Sequence, residues 1–458
     1  MIKEYQTVRE IKGPLVFVEG VSGVGYGELV RIKDETDLIG QVIEVSEGLA
    51  VVQVLGNTIG LSEKARVRFS GDVLRLGVGS KMLGRVFNGM GHPIDGGLAP
   101  NFEEKIDVRG NALNPVSRDV PSNFVQTGIS TLDVMGSLVR GQKLPIFSGS
   151  GLLHYKLAAQ IARQAKVKDE DFGVVFGAMG ITAEESRFLL NSLQGSGALE
   201  RSVLFFNLSE DPTIERLITP QVALTTAEYL AFEQGMNVLV ILSDMTNYCD
   251  ALREISALRG ELPSKMGYPG YMYTDLAAIY ERAGRIKGKT GSITQLPILT
   301  MPDDDMTHPV PDLTGYITEG QIVLSRDLHA KGIYPPIQPL SSLSRLMPRG
   351  IGEDKTRRDH QSISDQLYAL YARAVELMNI VSIVGESVLG EYDKKILEFA
   401  GNFESKFINQ GFFENRDVSY SLDLALELFS MVPESELTKL ERTDNKEDKD
   451  DKKEPNEG

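Results

Sequence analysis

Apolar and polar residues alternate along the first part of the chain. In the segment 65–70 (ARVRFS) the two classes alternate strictly, which is typical of a strand with one face toward solvent. The segment 30–33 (VRIK) alternates in the same way. Because turns that contain glycine separate several such strands, we predict a small β-barrel domain over residues 1–75.

The pattern changes between about residue 120 and residue 330, where nearly continuous apolar runs alternate with helical segments. Strands that are buried on both faces have such runs, so the pattern predicts a mainly parallel sheet covered by helices, within an α/β domain over 76–345. The glycine-rich segment 84–100 is interpreted as a connection. The four clearest strands are predicted at 172–176, 203–206, 238–242 and 293–299. Two helices are predicted, one over 224–234 and one from an N-cap at Thr274 to about residue 284.

Beyond residue 346 the strand signals fade and helical periodicity takes over. Apolar residues lie on one helical stripe in 363–378, and Leu422, Leu426 and Phe429 lie on another. We therefore predict a C-terminal helical domain over 346–440. The last segment, 441–458, has no hydrophobic residue and is predicted to be disordered.

Composition narrows the possible functions. The net charge of −16 disfavours binding to nucleic acid or docking on anionic lipid, both of which need a basic surface. No apolar run approaches the ~18 residues of a membrane span, so no membrane insertion is expected. Cys249 is the single cysteine and fits a reducing cytoplasm. The five histidines have no metal-type spacing, and no protein-bound zinc is expected.

The segment 147–164 (FSGSGLLHYKLAAQIARQ) has the outline of a phosphate-binding loop that opens a helix. In the pattern G-x-x-x-x-G-K-[ST], backbone N–H groups surround the phosphates, the lysine neutralises them and the hydroxyl holds Mg²⁺. Here no register recovers both the lysine and the hydroxyl. A loop that starts at Ser148 puts Leu153 at the second glycine. The residues of this degenerate loop are Ser148, Gly149, Ser150, Gly151, His154 and Tyr155, with the last two at the lysine and hydroxyl positions. A simple strand-to-helix turn is the alternative interpretation.

Two further strand ends are candidates for nucleotide chemistry. Asp244 follows the run 238–242, where a P-loop hydrolase places its magnesium-coordinating aspartate. Glu184 and Glu185 follow the run 172–176, but they fit the first turn of a helix, where the helix dipole favours acids. An exposed turn is the expected state of the acidic segment 303–305, with cation binding as the alternative.

Long stretches resemble the B subunit of the V-type and A-type rotary ATPases, and the resemblance extends to about residue 440. These stretches are 142–151 (QKLPIFSGSG), 244–256 (DMTNYCDALREIS), 267–271 (GYPGY) and 301–320 (MPDDDMTHPVPDLTGYITEG). The family has an N-terminal β-barrel, a nucleotide-binding-type α/β domain and a C-terminal helical domain, the same order as the pattern predicts.

The resemblance implies a place in a larger machine. Three such subunits alternate with three catalytic A subunits around a central rotor shaft, with peripheral stalk subunits outside, on the cytoplasmic side of the membrane. ATP or ADP with Mg²⁺ binds where A supplies the P-loop, and ATP turnover is coupled to transport of protons or sodium ions. Overlaying the family's G-E-R-x-x-E motif puts Ile181 at the catalytic glutamate and Thr182 at the arginine, while Glu185 matches the final acid.

Arg345 is the residue that the resemblance implies in catalysis. It follows Ser344 in the segment 335–345, which resembles the signature of an arginine that reaches into the neighbouring subunit's nucleotide site. Gln338 departs from that signature, where the family has Asp, Asn or His. We expect a non-catalytic subunit that supplies Arg345 in trans and whose own loop is weak or empty. The alternatives are an autonomous P-loop hydrolase, a ring-shaped RNA translocase and a purely architectural subunit.

Overall fold

The computed structural model describes residues 2–34, 37–168, 170–385 and 389–440. Its N-terminal part is a barrel-like antiparallel sheet with the strand order β1-β7-β4-β5-β6-β3-β2. Val67 and Phe69 are buried in this sheet while Arg66 and Arg68 are exposed, so the predicted alternation is confirmed. The seven strands are β1 (Lys3–Tyr5), β2 (Val8–Lys12), β3 (Leu15–Glu19), β4 (Glu28–Lys33), β5 (Asp37–Ser46), β6 (Leu49–Val54) and β7 (Arg66–Val73).

The central domain is built on a sheet with the strand order β21-β20-β14-β19-β17-β15-β16-β9, which β11 and β18 extend beside β19. Every neighbouring pair in that order is parallel except β20 and β21. The strands after the barrel are β8 (Arg75–Val78), β9 (Val86–Asn88), β10 (Glu104–Asp107), β11 (Arg118–Asp119), β12 (Phe124–Val125), β13 (Leu138–Val139), β14 (Ile146–Gly149), β15 (Phe172–Ile181), β16 (Ser202–Leu208), β17 (Asn237–Ser243), β18 (Gly284–Ile286), β19 (Ser292–Met301), β20 (Gly320–Val323) and β21 (Leu343–Ser344).

The four predicted apolar strands are confirmed as β15, β16, β17 and β19. They are buried because helices cover both faces of the sheet, as a parallel sheet requires. One interpretation was wrong. The segment 84–100 is more than a connection, since it contains β9, which pairs with β16 at the end of the sheet.

The helices of the whole chain are α1 (Ser130–Met135), α2 (His154–Gln164), α3 (Ala183–Gly195), α4 (Thr213–Glu228), α5 (Met245–Leu258), α6 (Met272–Tyr280), α7 (Pro309–Ile317), α8 (Arg326–Ala330), α9 (Met347–Gly350), α10 (His360–Val384), α11 (Glu391–Asn402) and α12 (Val418–Phe429). The helix predicted over 224–234 begins earlier, at Thr213, and α4 contains Pro220 in its interior. The chain continues from α4 as a π-helix over 229–233. Thr274 is the third residue of α6, so its predicted role as N-cap is wrong.

The C-terminal part is helical, as predicted. Helices α10, α11 and α12 pack around a core that contains Leu367, Phe399 and Leu422. Leu426 is 39% exposed, and the smaller Ala425 takes the buried position that we assigned to it. The segment 441–458 lies outside the described residues. No described helix has both the length and the apolar character needed to cross a bilayer.

Candidate functional site

The degenerate loop joins β14 to α2, as the sequence predicts. Strand β14 ends at Gly149 and helix α2 begins at His154. The N–H of Leu152 donates to the carbonyl of Gly149 at 3.1 Å, which closes the turn. Gly151 has φ of +80°, a conformation that favours glycine. The backbone therefore has the form of a tight strand-to-helix turn at the carboxyl edge of the sheet, where α/β proteins bind ligands.

A salt bridge from two other segments lies against this loop. Nε of Arg326 is 2.6 Å from Oδ2 of Asp304, and Nη2 of Arg326 donates to the carbonyl of Ser150 at 3.0 Å. A Cβ added at Gly149 would collide with Oδ1 of Asp304, so a larger residue here would displace the Asp304 carboxylate. The hydrogen bond from Arg326 lowers the pKa of Asp304, which keeps an anion fixed beside the loop. The Asp304–Arg326 pair therefore occupies the space beside Gly149 and Ser150.

The acidic segment 303–305 therefore forms local contacts. Asp304 pairs with Arg326, and Asp305 accepts a hydrogen bond from the N–H of Thr307 at 2.8 Å. Within the described ranges, no group of three or more His, Cys, Asp or Glu side chains is arranged to hold a metal ion. The expectation of a turn is supported for this segment.

Lys156, in the first turn of α2, packs on aromatic rings. Nζ of Lys156 lies 4.5 Å from the ring centroid of Tyr334 and 5.3 Å from that of Phe412, in cation–π geometry. Arg163, two turns along α2, stacks on the other side of this cluster with its guanidinium carbon 4.5 Å from the Phe412 centroid. Lys156 is therefore committed to packing between α2 and the C-terminal part of the chain.

The side chains at the lysine and hydroxyl positions of the pattern are also used for packing. The ring of Tyr155 lies edge-on to Phe188 with the centroids 5.4 Å apart, and burial raises the pKa of the Tyr155 hydroxyl. The His154 ring neighbours Tyr155, and its Nδ1 is buried with no hydrogen-bond partner in the described structure. The pattern's lysine and Ser/Thr hydroxyl are thus replaced by an imidazole and a bulky phenol, and the ring of the latter is used for packing.

Asp244 follows β17, at the strand end where the sequence suggested a magnesium ligand. Its Oδ1 accepts hydrogen bonds from the N–H groups of Thr246 at 2.8 Å and Thr300 at 3.1 Å. Its Oδ2 accepts from the hydroxyl of Thr300, and the residue is 6% exposed. Both carboxylate oxygens are thus used to cap α5 and to fix the neighbouring strand β19. The described structure gives Asp244 a structural role.

The acids after β15 belong to a helix start, as predicted. Thr182 is the N-cap of α3, and its hydroxyl accepts from the N–H of Glu185 at 3.2 Å. The carboxylate of Glu185 accepts in return from the N–H of Thr182 at 2.8 Å, which completes a capping box. Ile181, at the position of the catalytic glutamate, is a buried residue at the end of β15.

The segment with Ser344 and Arg345 has a rigid backbone and an exposed cation. Ser344 is 4% exposed; its hydroxyl donates to the carbonyl of Ser137 at 2.8 Å and accepts from Nε2 of Gln142 at 3.0 Å. The N–H of Arg345 donates to the carbonyl of Glu319 at 3.0 Å. The Arg345 side chain is exposed, and Nη1 makes a 3.4 Å hydrogen bond to the carbonyl of Thr318. Among the described residues, no carboxylate forms an ion pair with it.

Gln338 shows what the departure from the signature does locally. Its N–H donates to the carbonyl of Val323 at 2.8 Å, and its own carbonyl accepts from the hydroxyl of Ser342 at 2.7 Å. Its side-chain Oε1 is buried without a hydrogen-bond partner in the described structure. The backbone before Ser344 is therefore held by hydrogen bonds. The only unfavourable contribution of the Gln338 side chain seen in the described structure is its one buried oxygen without a partner.

Comparisons with known proteins agree along most of the chain. Residues 8–71 match the beta-barrel domain of the ATP synthase alpha/beta family, and residues 128–344 match its nucleotide-binding domain. Residues 349–449 match the C-terminal domain of V and A type ATP synthase. A solved structure, of a unique ATP synthase subunit NeqB from Nanoarcheaum equitans, is 41% identical with a TM-score of 0.73; the alignment covers 91% of this chain and 98% of that chain. The chain belongs to the ATP synthase alpha/beta family, of the V and A type.

Family membership explains why a loop without phosphate chemistry keeps its shape. The nucleotide-binding domain of this ATP synthase family includes the degenerate loop, Asp244 and Ser344 in one matched region. The resemblance inferred from the sequence is thereby confirmed at the level of the family. Three contacts had no signal in the sequence: the Asp304–Arg326 pair on the loop, the aromatic partners of Lys156 and the double hydrogen bonding of Ser344.

Proposed function

We propose that this chain is the non-catalytic B subunit of a V/A-type rotary ATPase or ATP synthase. In this role it alternates with catalytic A subunits in a ring of three A and three B, and it supplies Arg345 to the ATP site of the neighbouring subunit. One contrast supports the proposal. Arg345 is exposed on a backbone fixed by hydrogen bonds, whereas the side chains in and next to the degenerate loop are used for packing.

The state of its own loop argues against independent hydrolysis. Lys156 is held by aromatic rings, and the anion of Asp304 is fixed beside Gly149. The strand ends that would supply a magnesium ligand and a water-polarising carboxylate carry the internally bonded Asp244 and the apolar Ile181. The chain alone is therefore expected to bind nucleotide weakly or not at all and to have no ATPase activity.

The chemistry assigned to Arg345 follows from its side chain. A guanidinium is always charged and presents a planar fork of donors that matches phosphate oxygens. During phosphoryl transfer, negative charge on the transferring group is stabilised by such a cation, together with Mg²⁺ held at the neighbouring site. Because the backbones of Ser344 and Arg345 are fixed by hydrogen bonds, little ordering is left to the moment of reaction.

The proposed assembly also determines partners and location. The complex includes the A subunits, the central rotor shaft and the peripheral stalk, on the cytoplasmic side of the membrane. Conformational change at the A/B interfaces couples ATP hydrolysis or synthesis to movement of protons or sodium ions. This chain inserts no segment into the membrane and binds no nucleic acid, in line with its net charge of −16.

The proposal is tested by ATP turnover of the complex reconstituted with its catalytic partner subunit. Arg345→Ala is expected to lower turnover by about 10³-fold or more while the ring still assembles. Arg349→Ala is the matched control, because Arg349 is an exposed arginine in the same segment. It is expected to leave turnover unchanged. If Arg345→Ala assembles normally by size-exclusion chromatography and its turnover is unchanged, Arg345 has no catalytic role and the subunit is architectural.

A further inference from the structure

A cavity of about 430 Å³ separates the N-terminal sheet from the central domain. On one side it is lined by residues of β5 and β6, among them Gln53. On the other side α5 contributes Tyr248, α6 contributes Asp275, and Tyr271 lies directly before α6. The size is within the range of small-ligand sites. No residue of the degenerate loop lines it.

The positive charges of the cavity wall are already neutralised. Three arginines line it, and each forms an ion pair with an acid. The pairs are Arg109 with Asp107 at 2.6 Å, Arg259 with Glu261 at 2.9 Å and Arg282 with Glu228 at 2.6 Å.

Asp275 has no such partner. It is the one acid among the lining residues, it is half-buried, and within the described structure its carboxylate forms no hydrogen bond or ion pair. Burial and the nearby Glu261 raise its pKa to about 6, so it is mostly ionised above neutral pH. A partly desolvated carboxylate without a counter-charge favours a cation in the adjacent space.

The other walls suit an organic cation. Tyr248 and Tyr271 lie near Asp275: burial is the main cause of the raised pKa of both phenols, and the charge of Asp275 adds to it. Aromatic faces attract alkylammonium groups. Gln53 is 7% exposed, lines the cavity and has no hydrogen-bond partner for its side-chain amide in the described ranges. Its oxygen is available to accept from an ammonium N–H.

We propose that this cavity binds a small aliphatic amine, with one ammonium group on Asp275 and Gln53 and the carbon chain against the tyrosine rings. A bound metal ion is disfavoured because a single carboxylate lines the cavity and no group of three metal-ligating side chains exists among the described residues. Anionic ligands are repelled by Asp275. An amine bound here would bridge the N-terminal sheet and the central domain.

The test is isothermal titration of the full chain with 1,4-diaminobutane at pH 7.5. We expect saturable binding at one site, which Asp275→Asn weakens at least about 10-fold because the charge-assisted hydrogen bond is lost. Asp312→Asn is the matched control: Asp312 is also an acid in the first turn of a helix, α7, but it does not line the cavity. This variant is expected to bind as the native chain does.

Two further measurements keep the proposal falsifiable. Butane-1,4-diol has the same carbon chain without charge and is expected to give no saturable heat. Gln53→Leu is expected to weaken diamine binding by a few-fold. If Asp275→Asn no longer folds, as shown by loss of its cooperative thermal melt, the affinity of Gln53→Leu for the diamine is the test instead. The proposal is overturned if the diamine gives no saturable binding, if the diol binds equally well, or if Asp275→Asn binds with native affinity.

Discussion

The degenerate loop follows β14 and Arg345 follows β21, two strands of one sheet, yet the two regions use charge in opposite ways. After β14 the loop is covered by the Asp304–Arg326 pair, and Lys156 is turned onto aromatic rings. Arg345 directly follows β21, which pairs with β20; its backbone N–H is bonded to Glu319 and its side chain is exposed. Charge is paired internally at the first region and left available at the second.

The difference shows that the shape and the chemistry of a phosphate loop separate easily. The tight turn is maintained by Gly151, by a backbone hydrogen bond and by packing of α2, none of which needs a nucleotide. The chemistry depends on a few side chains, and here they are replaced. A fold can therefore keep its nucleotide-binding architecture while the side chains of its phosphate loop are replaced.

After removal of the Arg345 side chain itself, the largest expected effect comes from changing the geometry of Arg345 without changing its charge. Arg345→Lys keeps the cation but loses the planar fork, so turnover of the reconstituted complex is expected to fall by about 10²-fold or more. Steady-state ATPase assays at saturating ATP measure this. A lysine variant with native turnover would show that only the charge matters, and the contrast between the two regions would rest on electrostatics alone.

The second effect concerns a contact between the helical domain and the central domain. Nε2 of His360 lies 3.1 Å from the carbonyl of Val134, and Nδ1 lies 3.0 Å from the hydroxyl of Thr356. Burial lowers the pKa of His360 to about 4. The unfolded chain takes up the proton near pH 6.5, so the stability is present above pH 6.5 and is lost as the pH falls toward 4, by about 3 kcal/mol.

Thermal melts of the native chain and of His360→Gln between pH 7.5 and pH 4.5 check this prediction. The native chain is expected to lose more stability on acidification than the variant. Burial raises the pKa of Asp133 to about 7, and this gives an opposite pH dependence in both proteins. The difference between the two melts therefore isolates His360, and equal pH dependence in both would contradict the assignment.

The third effect tests whether the exposed arginine depends on its buried neighbour. Ser344→Ala removes the hydrogen bonds to Ser137 and Gln142, which we expect to cost about 1–2 kcal/mol of stability and to lower turnover of the complex roughly 10-fold. Ser341→Ala, at an exposed position of the same segment, is the control and should change neither quantity. Native turnover in Ser344→Ala would show that Arg345 positions itself.

The smallest effect is expected at the cover of the loop. Arg326→Ala removes an exposed ion pair, so the melting temperature should hardly change. The chain alone should still show no saturable ATP binding at millimolar concentration, because the loop lacks the lysine and the hydroxyl. Tight ATP binding by this variant would mean that the Asp304–Arg326 pair alone closes a functional site.

The sequence was sufficient for the parts of the fold that depend on local pattern. Continuous apolar runs predicted β15, β16, β17 and β19, and alternation predicted the N-terminal sheet, since burial on two faces or on one face determines the pattern. The start of α4 was missed because proline in a helix interior is rare, and Pro220 is tolerated in a buried helix by its packing.

The site was only partly predictable for a different reason. The absence of the lysine and the hydroxyl can be seen from residue types alone. The direction of Lys156 cannot, because its partners Tyr334 and Phe412 are far away in sequence and meet it only in the folded chain. The same holds for Arg326 on the loop. Long-range contacts of this kind determine which charged side chains remain free to contact a ligand or a neighbouring subunit.

The most direct test of the account compares both regions in one experiment, single-turnover ATP hydrolysis by the reconstituted complex carrying either His154→Ala or Arg345→Ala. His154 occupies the lysine position of the degenerate loop, and Arg345 is the exposed arginine directly after β21. The account predicts native hydrolysis for His154→Ala and a loss of about 10³-fold for Arg345→Ala. A large loss in His154→Ala together with native hydrolysis in Arg345→Ala would contradict it.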